Sequence, residues 1–196
     1  MEHESQTADE RLAEATAYYK NQGLSDTEAA EAAAKYADNE SLKYKARLAL
    51  GATSHMSEDE LWNAFLSMKN CLMYEDANDA LDFLFNRLSA TDEHAADYIS
   101  SARMFLSQID ETGIDYGVLI TSYTEEGHEV LRVGDIIIAF DGMECRGADS
   151  YRLYKDRLTQ KEYTVTVLRP ENGAFQQLEL ALTTDMPLIG ISSLTK

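Results

Sequence analysis

The pattern of apolar and polar positions changes once along the chain, close to residue 112. Before that point apolar residues recur every three or four positions, which is typical of amphipathic helices. The clearest stripes are Leu61, Phe65, Met68 and Leu72; Leu81, Leu84, Phe85 and Leu88; and Ala95, Tyr98, Ile99, Ala102, Leu106 and Ile109. This spacing predicts six helices, at residues 8–22, 26–38, 41–50, 58–73, 77–88 and 92–110.

Local signals mark the ends of these helices. A Ser or Thr followed three residues later by Glu forms a capping box, in which each side chain binds the backbone N–H of the other residue. The chain has three such pairs, Thr7 with Glu10, Ser25 with Glu28, and Ser57 with Glu60. Glycines stand where helices often end, at Gly23, Gly51 and Gly113. The short connections favour antiparallel packing of neighbouring helices.

After residue 112 the chain is dominated by short segments with β-branched or alternating residues. These segments predict strands at residues 116–123, 135–140, 163–169 and 175–182. Asn172-Gly173 predicts a tight hairpin between the last two strands. The segment 148–158 predicts one helix, and a single helical turn is expected near 125–131. We expect the tail after residue 185 to add a further strand.

One apolar run stands out among these strands. Residues 136–140, IIIAF, lie between Gly134-Asp135 and Asp141-Gly142. An apolar segment without alternation predicts a strand that is covered on both faces. The preceding Gly-Asp is expected to turn the chain and to hold it by side-chain to backbone hydrogen bonds.

The order of these signals resembles a PDZ domain, in the bacterial strand order found in HtrA-type and site-2 proteases. The resemblance covers residues 112–185 and includes Tyr116-Gly117-Val118 before a strand, the Gly-Asp and Asp-Gly turns around the apolar run, and a strand that ends at Arg169. The resemblance implies that residues 112–196 form a small PDZ-like β-barrel or sandwich with one long helix. Together with the helical pattern before it, which predicts an all-α bundle in residues 1–111, this gives an α+β protein of two domains.

The resemblance also implies a binding site. PDZ domains bind a peptide, usually a C-terminus, as an added strand between one strand and the long helix. Matching positions place the peptide carboxylate on the backbone N–H groups of residues 116–118. A Cβ at Gly117 would obstruct the carboxylate. The implied groove consists of Tyr116, Gly117, Val118, Leu119, Ile120, Tyr151, Lys155 and Leu158. Lys155 would favour an acidic ligand side chain.

Two alternatives stay open for this groove. Val118, Ile120 and Leu158 have the apolar character of ordinary core residues. The tail 186–196 is also apolar enough to fill the groove in place of a partner.

The composition limits the classes of partner that the chain could bind. The chain has 17 Lys and Arg residues against 35 Asp and Glu residues, a net charge of −18. Because this charge repels phosphate backbones, we expect no nucleic-acid partner and no attraction to anionic membranes. No apolar run approaches the length of a membrane span. The polar N-terminus favours a cytoplasmic protein, and the alternative is an exported or membrane-associated one that has lost its leader or anchor.

No catalytic motif emerges. Residues 128–132, HEVLR, begin like a zinc-binding H-E-x-x-H helix but have Arg132 in place of the second histidine. The two cysteines, Cys71 and Cys145, have no Cys or His at ligand spacing, so no metal or other cofactor is expected. We therefore expect a non-catalytic adaptor that binds a protein C-terminus or extended peptide, with a basic protein as a second partner. The alternatives are a substrate-recognition component of a protease system and a structural module.

Overall fold

The computed structural model describes residues 12–13, 16–17, 20–21, 23–36, 44–45, 47–48, 55–70, 72–123, 130–157, 162–182 and 189–195. The fold is mixed α+β. The elements with defined bounds are, in chain order, α1 Asp26–Tyr36, α2 Glu58–Asn70, α3 Tyr74–Leu88, α4 Ala95–Thr112, β1 Val118–Tyr123, β2 Ile136–Phe140, β3 Met143–Glu144, α5 Ala148–Arg157, β4 Tyr163–Glu171, β5 Ala174–Leu182 and β6 Ile189–Ser193.

Two of the three predicted capping boxes are confirmed. The Ser25 N–H donates to Glu28 Oε2 at 3.0 Å, and the Glu28 N–H donates to Ser25 Oγ at 3.4 Å. The same exchange joins Ser57 and Glu60, at 2.8 and 3.2 Å. Hydrogen bonds from the Ser25 side chain and backbone lower the pKa of the Glu28 carboxyl. The pKa of the Glu60 carboxyl is also lowered, mainly by the hydrogen bond from the Ser57 backbone.

Other predicted helix ends have mixed outcomes. Gly23 and Gly113 have φ values of 90° and 67°, the left-handed conformation that terminates a helix. Other predictions concern segments outside the described residues. These are the capping box of Thr7 and Glu10, the helix end at Gly51, most of the predicted helices 8–22 and 41–50, and most of the predicted helical turn near 125–131.

By contacts the chain divides into two units, Met1–Phe83 and Leu84–Lys196. In the first unit the predicted stripe on α2 is confirmed at three positions, because Leu61, Phe65 and Met68 are fully buried. The fourth residue, Leu72, lies in the turn after α2 and is 74% exposed. The helical face thus ends one turn earlier than its apolar spacing predicted.

The second unit is built on an antiparallel sheet with the order β5-β4-β2-β1-β6, and β3 pairs with β2 beside this path. All four predicted strands are present within three residues of their expected limits. The hairpin between β4 and β5 turns at Asn172 and Gly173, whose φ values are both positive, at 52° and 83°. This is the geometry that Asn-Gly predicts.

The apolar run forms β2, the central strand of the sheet. Ile136, Ile137, Ile138 and Phe140 are buried, which confirms a strand covered on both faces. The turn before it is held as expected, because the Arg132 N–H donates to Asp135 Oδ2 at 2.9 Å.

A buried ion pair fixes the same turn to β4. Asp135 is fully buried and accepts two hydrogen bonds from the guanidinium of Arg169, from Nε at 2.9 Å and from Nη2 at 2.6 Å. The same Nη2 also donates to the Val130 carbonyl oxygen at 2.6 Å. A buried charge of this kind requires such a partner because removing it from water is costly. The pair therefore ties β2 to β4 and to the segment before β2.

Helix α4 packs on the sheet. Its predicted apolar stripe is buried, and the helix contacts β1 and β5. The Ser101 hydroxyl donates to the Gly134 carbonyl oxygen at 2.5 Å. Gln108 donates to Gly173 O and accepts from the Phe175 N–H, both at 3.1 Å. These bonds hold α4 to the β2 turn and to the β4–β5 hairpin.

Candidate functional site

The residues of the predicted groove are mostly interior. Gly117, Val118, Leu119, Ile120 and Tyr151 are buried, and Tyr116 and Lys155 are half-buried. Leu158 lies outside the described residues. Val118, Ile120 and Tyr151 belong to one core cluster, in which the Tyr151 and Phe140 rings are 5.9 Å apart. These three side chains thus contribute to the core between the sheet and α5.

Strand β1 is paired on both sides. The Ile120 N–H donates to Asp135 O, and the Gly134 N–H donates to Ile120 O, each at 2.9 Å, on the side of β2. On the opposite side the Leu194 N–H donates to Gly117 O at 3.0 Å, and β6 pairs with β1 from Val118 to Tyr123. The chain's own tail therefore lies where a peptide added to β1 would lie.

Gly117 has a packing reason to be glycine. Its φ is 148°, a conformation that side chains rarely adopt, and a Cβ there would stand 2.6 Å from Ile136 Cγ2 and 3.2 Å from Ile137 O. The close approach of β1 to β2 therefore requires glycine whether or not a ligand binds. Its assignment to a carboxylate site stays a prediction.

The outer edge of the sheet next to β1 is formed by β6. Because the backbone of Leu194 faces β1 and neighbouring residues of a strand face opposite sides, the backbones of Ser192 and Gly190 also face β1. Those of Ile189, Ile191 and Ser193 face away from it. Every residue of β6 is half-buried, and among the described strands only β1 pairs with it.

Helix α5 contacts β6. Gly147, just before the helix, is so close to the end of β6 that a Cβ there would stand 2.9 Å from Ser193 Oγ. Tyr151 and Lys155 share one face of α5, four residues apart, and Tyr154 packs against Phe140 with ring centroids 5.8 Å apart. Ile189 and Ile191 of β6 pack against the same core cluster.

The charges along this helix are uneven. Arg152 forms an exposed ion pair with Asp149 at 3.3 Å, and Arg146 pairs with Glu144 at 2.7 Å while lying over the Tyr116 ring. Within the part of the chain that the structure describes, Lys155 and Arg157 have no ion pair. Lys155 is also half-buried, on the same face of α5 as the buried Tyr151.

Two buried groups near α5 resist ionisation. Burial raises the pKa of the Cys145 thiol to about 11, and burial together with the neighbouring thiol raises the pKa of Tyr151 to about 12. Both groups are therefore neutral at physiological pH. The thiol is fully buried, so it serves as a small apolar residue rather than as a nucleophile.

One structural feature of this region was missed in the sequence. The ion pair of Asp135 and Arg169 joins residues 34 positions apart, although both residues belong to the pattern that carries the PDZ resemblance. The pairing of β6 with β1 corresponds to the alternative in which the tail fills the groove beside β1. In the described residues, no three side chains of His, Cys, Asp or Glu come together as a metal site. None of the described helices is long and apolar enough to cross a membrane.

Comparisons with known proteins gave no match to a family model, to a curated protein or to a solved structure.

Proposed function

We propose that this protein is a non-catalytic adaptor that binds an extended peptide segment of a partner protein by strand addition. The added strand would pair with the outer edge of β6, alongside α5. The observation that carries the proposal is the order of the sheet, since among the described strands β1 is paired on both sides and β6 on one side only. The proposed peptide therefore lies one strand further out than the groove predicted beside β1.

The backbone of β6 supports this mode of binding. Strand addition draws its affinity from main-chain hydrogen bonds and its specificity from pockets for alternate side chains. The outward N–H and C=O groups of Ile189 and Ile191 would supply the main-chain hydrogen bonds, and the half-buried side chains of β6, a strand that α5 contacts, would supply the pockets. We expect a dissociation constant of about 1–100 µM, or roughly −8 to −5.5 kcal/mol.

The opposite edge of the sheet suits a ligand less well. Along β5 the side chains of Gln176, Gln177 and Glu179 are exposed. Charged and polar residues on an edge strand discourage pairing with another chain. Helix α4 also contacts β5, and Gln108 of this helix accepts a hydrogen bond from the Phe175 N–H near the start of the strand.

The test is an amide NMR titration of the full chain with a pool of heptapeptides whose last four positions are randomised. We expect chemical-shift changes at residues 189–195 and 148–157, with the β4–β5 hairpin unaffected. Loss of the β1–β6 cross-strand contacts on binding would mean that the peptide displaces β6 instead. A titration without shifts in either segment would refute peptide binding and favour a structural module.

A pair of variants isolates the backbone contribution. Ile191→Pro removes an outward N–H and leaves the pairing with β1 intact, because proline is tolerated where the N–H of an edge strand faces away from the sheet. Ile191→Ala removes the side chain but keeps the N–H. We expect the proline variant to lose binding and the alanine variant to bind more weakly than the natural protein but measurably. Equal binding by the two variants would contradict the assignment to β6.

A further inference from the structure

We propose that the outer edge of β6 pairs with the same edge of a second copy of this chain, as two antiparallel strands related by a two-fold axis. The inference rests on the strand-addition mode of the proposed function, since both assign an added strand to this edge. A partner peptide would have to displace the second copy before it could bind. The pairing therefore regulates the access of the peptide to β6.

The residues of β6 lack the features that keep edge strands apart. Natural edge strands are commonly protected by charged side chains or by proline. The sequence of β6, IGISS, has neither, although the chain has a net charge of −18. The opposite edge differs, because Gln176, Gln177 and Glu179 are exposed along β5. Of the two edges of the described sheet, β6 is therefore the one suited to pair with a copy of itself.

The outer backbone of β6 is complementary to itself. Among the described strands, none pairs with the outward backbones of Ile189 and Ile191. In an antiparallel pair, two opposed residues exchange both of their N–H to C=O bonds, and such pairs recur at every second residue. A two-fold axis at Gly190 places Ile189 opposite Ile191 of the second copy, and Ile191 opposite its Ile189. This register satisfies both outward N–H groups and both outward carbonyl groups of each copy.

The side chains of the same residues favour this register. Ile189 and Ile191 are two residues apart, so they point to one face of the sheet, where both pack, half-buried, against the core cluster. Opposed residues of an antiparallel pair share a face, and pairs of apolar β-branched residues across strands stabilise a sheet. The pairing would bring the two isoleucines of each copy together on that face. The apolar core of one copy would thus continue into the other.

Helix α5 and the net charge limit the pairing. The helix approaches β6 at the end of the strand, where a Cβ at Gly147 would stand 2.9 Å from Ser193 Oγ. A two-fold axis at Gly190 uses the start of the strand instead. Two copies that each carry a net charge of −18 repel one another, and salt screens this repulsion. One strand pair is also small beside the roughly 1,200–2,000 Å² that stable complexes bury, so we expect a weak dimer.

The test is sedimentation velocity of the full chain between about 10 and about 500 µM, the range of weak association. The proteins are the natural chain, Ile191→Pro, Ile191→Ala and Gln177→Pro. Ile191→Pro removes an outward N–H of β6 from both copies. Gln177→Pro is the matched control on the opposite edge. The Phe175 N–H donates to Gln108 of α4, and the Gln177 N–H, two residues further on, also faces away from β4.

We expect the natural chain to form more dimer as its concentration rises. The association should tighten between about 10 and about 150 mM NaCl, as the Debye length falls from about 30 Å to about 8 Å. Ile191→Pro should weaken the association about 30-fold, the scale of two lost hydrogen bonds. Ile191→Ala keeps the N–H and should weaken the association less, and Gln177→Pro should dimerise like the natural chain.

Amide hydrogen exchange of the natural chain checks the register without a variant. The N–H groups of Ile189 and Ile191 should exchange more slowly at high protein concentration. Those of Ser192 and Leu194, which face β1, should exchange at the same rate at both concentrations. These rates decide the question even if Ile191→Pro unfolds. Exchange at Ile189 and Ile191 that does not depend on concentration would overturn the pairing, as would a dimer that persists in folded Ile191→Pro.

Adding the heptapeptide pool separates this inference from the proposed function. If both are correct, the peptide shifts residues 189–195 and dissociates the dimer. Peptide binding to a chain that stays monomeric at every concentration refutes the self-pairing and leaves strand addition by a partner in place. A dimer that requires the Ile191 N–H but binds no peptide supports the self-pairing and refutes the adaptor.

Discussion

At the scale of single residues, the turn between α2 and α3 contains a conformation that its residue does not favour. Leu72 has a φ of 59° and is 74% exposed. Its N–H donates to Lys69 O at 3.0 Å, and the Met73 N–H donates to Met68 O at 2.9 Å. These are the bonds of a helix end at which glycine is the usual residue, because a Cβ is disfavoured in the left-handed region.

Leu72→Gly should therefore stabilise the protein by about 1 kcal/mol, through the release of backbone strain. Urea unfolding followed by the fluorescence of the single tryptophan, Trp62 in α2, measures this. Leu72→Ala is the control, since it also removes the exposed apolar side chain but keeps the Cβ. If alanine stabilised the protein as much as glycine, the gain would come from side-chain removal and not from the backbone.

At the scale of elements, the approach of β1 to β2 depends on Gly117. Gly117→Ala should cost about 3 kcal/mol, from backbone strain and from contact with Ile136. Gly173 also has a positive φ, but a Cβ there would meet nothing within 4 Å. Gly173→Ala should therefore cost only about 1 kcal/mol. Urea unfolding followed by far-ultraviolet circular dichroism compares the two, and equal losses would disprove the packing role of Gly117.

This prediction also changes how the site can be tested. A bulky residue at Gly117 was the obvious means of blocking a carboxylate beside β1. In the structure that substitution would clash with Ile136 and Ile137 and destabilise the pairing of β1 with β2. A loss of peptide binding could then result from unfolding and not only from a blocked site. The Ile191 variants avoid this ambiguity because that side chain is only half-buried.

The elements show which parts of the fold a sequence can predict. The capping boxes at Ser25 and Ser57 and the Asn172-Gly173 hairpin are correct because all their interactions lie within a few residues. The prediction that β2 is covered on both faces is correct because a strand buried in this way is apolar without alternation.

Pairings between distant segments could not be predicted in the same way. The alternation that identifies β1 as a strand is the same whether its open side faces water, a ligand or β6. The tail was expected to be a strand that could fill the groove beside β1, but nothing in its residues decides between this pairing and a peptide from a partner. For the same reason the predicted groove lies beside β1, whereas β6 and β5 are the edges among the described strands.

At the scale of the whole molecule, the excess of negative charge opposes the compact state. A net charge of −18 on 196 residues produces self-repulsion, which salt screens. The free energy of unfolding at pH 7 should therefore rise between 10 and about 150 mM NaCl, as the Debye length falls from about 30 Å to about 8 Å. Urea midpoints at several salt concentrations measure this rise.

The same series at pH 5 separates self-repulsion from other effects of salt. Because this pH is nearer the isoelectric point of about 4.5, the net charge is smaller and the response to salt should shrink. The capping carboxylates do not confuse the comparison. The pKa values of Glu28 and Glu60 are lowered from 4.5, so their stabilisation is complete above that pH and is lost only as the pH falls below it. A midpoint that falls with salt at pH 7 would mean that close pairs such as Asp135 with Arg169 outweigh the repulsion between the many uncompensated carboxylates.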